Sequence, residues 1–253
     1  MPNPTRSINI FRGSEYYSDL LDSFYSKAAL QDGDIKDISE AIYFHICKMK
    51  YAGWRHRVRF KRARKHSFSE FFQDIIAFYL KAALPKQYKV ELEHKGIKTH
   101  PDIAIKRGNK VVFLIEVKTN IGWDRINQAT PRGRESIKRI ESRVNQLHEE
   151  FKVPKNNIIY ILEDPGNVGK KFSAKFWDGK HGLRPDEDDF PFSKIYPLFD
   201  QTDPFYWPWG KGEKRFDKTM DFRKLSDEQI QQEAKSRIVT PFVDIIKMIR
   251  NNC

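Results

Sequence analysis

Asp102 and the run Glu116-Val117-Lys118 are the residues of this chain whose types and spacing could do chemistry together. Residues 103–106 and 111–117 are β-branched and apolar, and Gly108-Asn109 stands between them as a turn signal. The stretch therefore predicts a hairpin. Pairing Asp102 with Glu116 puts Ile103 opposite Ile115 and closes the ladder with Arg107 opposite Val111. Residues 108–110 are left as a three-residue loop, with glycine free to take a positive φ. Side chains alternate along a strand, so Glu116 and Lys118 share a face, and a directly paired Asp102 lies on that face too.

Two carboxylates opposed across strands repel and lose hydration, so a sheet does not gain stability from them. A divalent cation between them reverses the sign of the interaction. Hard oxygen ligands in a small set suit Mg²⁺, which binds through one or two carboxylates with water and substrate phosphate completing its shell. Lys118 would then stand beside the attacking water, where an ammonium helps to form hydroxide or offsets charge on a pentacovalent phosphate. The plain alternative is a half-exposed hairpin with solvated charges, because this spacing alone is short enough to arise by chance.

The elements around the pair must position it. Residues 15–30 and about 38–50 carry helical spacing, with Asp32-Gly33-Asp34 between them. A third helix is predicted from Ser67 to about Leu84, with Phe71, Phe72, Ile75, Ile76, Tyr79 and Ala83 on one face and Pro85 as its stop. Residues 88–93 alternate apolar and charged, as a half-buried strand does, with Glu91 and Glu93 on its solvated side. After the hairpin, Thr130-Pro131 has helix-start chemistry, and Ile137, Ile140, Val144, Leu147 and Phe151 fall at spacings of three or four. Residues 157–163 are almost continuously apolar, which predicts a central strand buried on both faces. The order over residues 67–163 is thus helix, strand, strand, strand, helix, strand. Beyond it, residues 164–189 are rich in Gly, Lys and Asp. Residues 190–209 crowd aromatics and prolines, a composition for packed irregular structure or edge strands. A closing helix over about residues 226–250 should be bent or split by Pro241.

A chain of 253 residues buries a real core. Lys+Arg number 46 against 34 Asp+Glu, a net charge of +12 that favours a polyanionic partner, nucleic acid before membrane. Cys47 and Cys253 fit neither a disulfide scaffold nor a zinc site, which points to a reducing, cytoplasmic setting. The first residues lack the apolar core of a signal peptide, and no run approaches the length of a membrane span.

With its acids and lysine on the second and third strands of that order, the chain resembles the PD-(D/E)xK nuclease superfamily, which includes many type II restriction endonucleases. The resemblance covers roughly residues 67–163. It implies an α/β fold with a restriction-endonuclease-like mixed β-sheet core (α-β-β-β-α-β) flanked by helices. Residues 1–66 would be a helical N-terminal region packed on that core, and residues 164–253 an irregular region and C-terminal helix of the same globular unit. Carried over by residue, Asp102 and Glu116 look like the metal-binding acids and Lys118 like the catalytic lysine. The Val117 carbonyl would be a further metal ligand, with Mg²⁺ as the cofactor and Mn²⁺ able to substitute. Many members also carry an acid on the helix before the first core strand. Glu70 is the candidate, with Asp74 one turn later as understudy, although Ser67-Phe-Ser-Glu70 reads equally as a capping box.

The activity so implied is Mg²⁺-dependent hydrolysis of DNA phosphodiester bonds by a type II restriction endonuclease, leaving a 5′-phosphate. The alternatives are a junction-resolving, repair or phage-defence nuclease without strict sequence preference, and a nucleic-acid-binding module on a degenerate nuclease fold. One departure bears on the branch: exonuclease-like members carry a glutamine and a tyrosine one turn apart, whereas here Gln146 is followed by Glu150. For DNA contact, the basic run over residues 55–65 supplies Arg57, Arg59, Arg62 and Arg64, since cations neutralising phosphates give most non-specific affinity. Such runs are commonly just solvated surface. Asn120, just past Lys118, is a further candidate contact, beside Trp123. Arg132, Arg134, Lys138, Arg139 and Arg143 make a second cationic helix face. The expected partner is DNA, duplex rather than single strand, and a homodimer is left open.

Overall fold

The apolar runs on either side of Gly108 pair as a hairpin, and the sheet grows outward from it. The structure, a computed structural model, describes residues 38–59, 69–119, 131–163, 195–199 and 226–252. In chain order these form α1 (Ile38–Arg59), α2 (Ser69–Ala83), β1 (Tyr88–Leu92), β2 (Ile103–Arg107) and β3 (Lys110–Lys118). Then come α3 (Pro131–Phe151), a 3₁₀ turn (Lys155–Asn157), β4 (Ile158–Leu162), β5 (Ile195–Pro197), α4 (Asp227–Arg237) and α5 (Phe242–Asn252). The five strands lie in the order β1-β2-β3-β4-β5. The first three are antiparallel, while β4 runs parallel to β3 and β5 parallel to β4. The protein is therefore mixed α/β, and the expected succession of helix, three strands, helix, strand is present from Ser69 to Leu162.

Alternation along the strands sorts the core into two layers. Ala104, Leu114, Ile158, Tyr160 and Leu162 face α3, whose Ile140, Val144 and Leu147 form the buried stripe read from their spacing. Ile103, Ile105, Phe113, Ile115, Val117, Ile159 and Ile161 point the other way, into a larger cluster with α1, α2 and α5. β4 is buried at every position, as its apolar run requires of a strand covered on both faces. Polar ties join the helices across long stretches of chain. The Phe242 N–H at the start of α5 donates to Ser39 Oγ at 2.8 Å, and Arg250 donates to the Ala83 carbonyl at the end of α2 at 2.6 Å. A cation there meets the carbonyls a helix terminus leaves over.

Two expectations are adjusted, the hairpin loop and the length of α1, while the split of the closing helix is as expected. The hairpin loop is two residues long, not three: Ile105 pairs with Phe113 as expected, but Lys106 meets Val111 and Arg107 meets Lys110. Val112 is the extra residue of a bulge, and Gly108 takes φ +61, which only glycine adopts freely. The helix expected to stop near residue 50 runs on to Arg59, because the basic residues beyond are good helix formers with no proline among them. The helix expected from Ser67 is described from Ser69, and Ser67 itself lies outside the described residues. The closing helix is split in two at residues 238–241, with Ser226 and Gln229 forming a capping box at the start of α4. Of the aromatic segment, Ile195–Pro197 is an edge strand. The helix read over residues 15–30 and the rest of the segment over 190–209 lie outside the described residues. Among the described residues no helix is long and apolar enough to cross a membrane.

Candidate active site

The bulge spares the end of the hairpin that matters. Ile103 pairs with Ile115, so the ladder arrives at Asp102 and Glu116 in the expected register. Both side chains project from the α3 face, and Lys118 joins them there. Its Nζ donates to Asp102 Oδ2 at 2.9 Å and to Glu116 Oε2 at 3.3 Å. Asp102 Oδ2 also accepts the Val117 N–H at 2.7 Å. In an extended strand the N–H and C=O of one residue face the same neighbour, so the Val117 carbonyl lies on the Asp102 side of β3. Lys118, one residue on, turns its carbonyl the other way, to the Glu163 N–H.

Asp102 is also fixed through its backbone. Its carbonyl accepts from Gln73 Nε2 on α2 at 3.0 Å and from the Glu93 N–H at 2.9 Å, where the chain leaves β1 with a left-handed φ of +47 at Glu93. Glu116 is almost wholly buried, its side chain 5% exposed. A carboxylate taken out of water needs partners. Besides Lys118 it has Arg143 of α3, whose Nε and one terminal nitrogen donate to Oε1 at 3.2 and 2.8 Å. The same terminal nitrogen donates to the His100 carbonyl at 2.6 Å. Each oxygen of Glu116 thus has its own cation.

The electrostatics follow from this packing. Burial pushes the Lys118 pKa down, but the Glu116 and Asp102 carboxylates more than offset it, and the net direction is upward. Lys118 is an ammonium at neutral pH, able to offer positive charge or a proton and unable to take one. Tyr160, paired with Glu116 across β3 and β4, has its hydroxyl pushed up by burial and then by the Glu116 charge, so a neutral phenol stands beside the acids.

Three residues here were missed or misplaced by reading the sequence. Arg143, by sequence a member of the second cationic helix face, turns inward to Glu116 and the His100 carbonyl. Its signal was available: it stands three residues after Ile140 and four before Leu147, at the margin of the buried stripe. Tyr160 reads from the sequence as strand core, and it pairs with Glu116 across β3 and β4. Glu150, met only as a missing tyrosine, holds the loop that leads to Pro101: its carboxylate accepts from the Lys98 N–H at 2.9 Å and from Thr99 Oγ1 at 2.7 Å. A side chain at Gly96 would overlap that carboxylate, the Thr99 carbonyl and the Phe151 ring.

The remaining candidates are placed as follows. Glu70 is exposed in the first turn of α2, which packs on the opposite face of the sheet. Its electrostatic neighbour is Asp74, raised in pKa by burial first and then by Glu70 and Glu93. Among the described residues no three His, Cys, Asp or Glu side chains gather closely enough to hold a metal ion, so Glu70 is not grouped with Asp102 and Glu116. What the site offers a cation is two carboxylates and one backbone carbonyl. That donor set fits Mg²⁺, which takes few protein oxygens and completes its shell with water and phosphate. Glu91 is occupied by Lys106 and His94 at the outer edge of the sheet. Arg57 and Arg59 fall in the last turn of α1, while Arg62, Arg64, Asn120 and Trp123 lie outside the described residues. Of the second cationic face, Lys138 and Arg139 are exposed, and Arg139 pairs with Glu135. Compared with family models, curated proteins and solved structures, the chain matches none.

Proposed function

We propose that this chain is a Mg²⁺-dependent DNA endonuclease of restriction type, built on the restriction-endonuclease-like core that its element order resembles. One observation carries the reading. Asp102 Oδ2 and Glu116 Oε2, from adjacent strands, converge on a single ammonium at 2.9 and 3.3 Å. Removing two carboxylates from bulk water is costly, and apolar residues would serve the end of a sheet at least as well. A charged cluster kept there is a candidate for chemistry.

Asp102, Glu116 and the Val117 carbonyl would hold Mg²⁺. When bound, the cation polarises phosphoryl oxygens and lowers the pKa of water. The protein's own contributions follow from its geometry. The Val117 N–H and the Glu93 and Gln73 donors keep Asp102 in place, and Arg143 holds Glu116 Oε1 while Oε2 meets Lys118, the ammonium it shares with Asp102. Lys118, retaining its proton, sets a positive charge where negative charge grows on phosphorus during in-line attack. The net charge of +12 supplies the field that draws duplex DNA, with the run containing Arg57, Arg59, Arg62 and Arg64, and Asn120 two residues past Lys118 in sequence, as its contacts.

Digestion of plasmid and phage DNA with and without Mg²⁺ tests this. Discrete bands that vanish with chelator are expected, and a smear would instead favour a nuclease without sequence preference. Absence of any Mg²⁺-dependent cleavage by the wild-type chain would overturn the reading.

A further inference from the structure

Arg143 carries a positive charge that the proposed chemistry does not use. Its guanidinium makes three donations, two to Glu116 Oε1 and one to the His100 carbonyl, two residues before Asp102. Lys118 makes the other two charged contacts, one to each acid. Among the described residues, the charges in direct contact are therefore two carboxylates, one guanidinium and one ammonium. They cancel. A site that only stored a cation would leave its acids in excess.

We propose that Arg143 makes cation binding conditional on an arriving phosphodiester: because Arg143 and Lys118 neutralise Asp102 and Glu116 one for one, the centre has no net charge to draw a dication until a DNA phosphate adds one. This rests on the metal-site reading above and deepens it, naming the residue that couples cofactor to substrate. Geometry allows the coupling without dismantling the cluster. Arg143 occupies Oε1 of Glu116, and Oε2 is the oxygen that meets Lys118, which also holds Asp102. Arg143 stays seated as a fixed positive charge beside the acids, anchored to the Asp102 loop through His100. Linkage makes the effect reciprocal: if DNA tightens cation binding, the cation tightens DNA binding by the same factor.

The test measures Mn²⁺ affinity by electron paramagnetic resonance, without DNA, for the wild type, R143Q, R143K and D102N. A unit charge a few ångströms from a dication is worth more than a decade in affinity at the effective dielectric of a protein surface. R143Q should therefore bind Mn²⁺ about tenfold or more tightly than the wild type, and R143K, which keeps the charge, should match the wild type. In parallel, anisotropy of a labelled duplex with and without Ca²⁺ should show a strong cation-dependent gain for the wild type and a smaller one for R143Q. If R143Q binds Mn²⁺ no better than the wild type while D102N loses binding, the coupling is refuted and the metal site stands. If, with duplex DNA present, D102N binds Mn²⁺ as the wild type does, the metal site itself is wrong.

Discussion

Asp102→Asn separates the proposed chemistry from stability, because the amide keeps an acceptor for the Val117 N–H and loses the charge. Asparagine keeps an oxygen for the Val117 N–H at 2.7 Å, and the backbone carbonyl keeps Gln73 and Glu93. What is lost is the ion pair with Lys118, whose side chain is 42% exposed, so water replaces most of it. The cost should be about 0.5–1 kcal/mol. For a chain of this size that lowers Tm by roughly 1–4 °C. Cleavage should respond on another scale. A unit charge acting across about 4 Å at an effective dielectric of about 20 is worth about 4 kcal/mol, or about three decades of rate. Single-turnover nicking of supercoiled plasmid in Mg²⁺ should therefore slow by about a thousandfold in D102N, with DNA affinity unchanged or tighter as repulsion of phosphate is relieved. Cleavage within tenfold of the wild type would refute the assignment of Asp102 as a metal-binding acid. A collapse of Tm would show instead that the residue's main work is structural.

Converting Arg57, Arg59, Arg62 and Arg64 to Ala should flatten the dependence of log K for DNA on log salt by up to about 0.9 per lost phosphate contact, measured by anisotropy across a salt series. An unchanged slope would remove the run from the interface. Glu70→Gln should retain both melting temperature and cleavage within about tenfold, since Glu70 is not gathered with the other acids; a loss of about three decades would bring it into the site. Asp74 is raised in pKa by burial and then by Glu70 and Glu93, so its folded form holds the proton more tightly than the unfolded chain does. Stability is then lost as pH rises from the ordinary value of 3.8 through the folded value, and Asp74→Asn should melt above the wild type at neutral pH. That advantage should disappear below the ordinary value, where both states are protonated. Melting curves across that range decide it.

The parts of this fold legible in the sequence are those set by local pattern. Alternation and β-branching placed β2 and β3, the unbroken apolar run placed β4, and spacings of three and four placed the buried stripe of α3. The register at Asp102 was legible because apolar pairs such as Ile103 with Ile115 bury together on one face, and a one-residue slip would expose them. The turn differs from the local pattern because of a bulge at Val112, whose carbonyl accepts from Asn157 forty-five residues away, a contact local pattern does not reveal. Arg143 was misjudged for the same kind of reason. Composition marks an arginine on a polar helix as solvated, and only the third dimension shows Glu116 and the His100 carbonyl within its reach.

The loop clamp also orders events in time. Arg143 and Glu150 stand about two turns apart on α3, and between them they hold His100, Lys98 and Thr99, the approach to Asp102. Every residue from Pro101 to Lys118 is synthesised before the first residue of α3. A hairpin closes in microseconds from local contacts. The docking of α3, which spans separations of 43 to 52 residues, must wait for the rest of the crossover. The full set of contacts around the two acids is thus a late product of folding: the hairpin sets their register, and α3 adds the Arg143 contacts to Glu116 and the His100 carbonyl. A nascent chain halted at Lys118 would carry the hairpin with its own donors to Asp102, while Glu116 would lack Arg143 and residues 98–100 would lack both of their α3 partners.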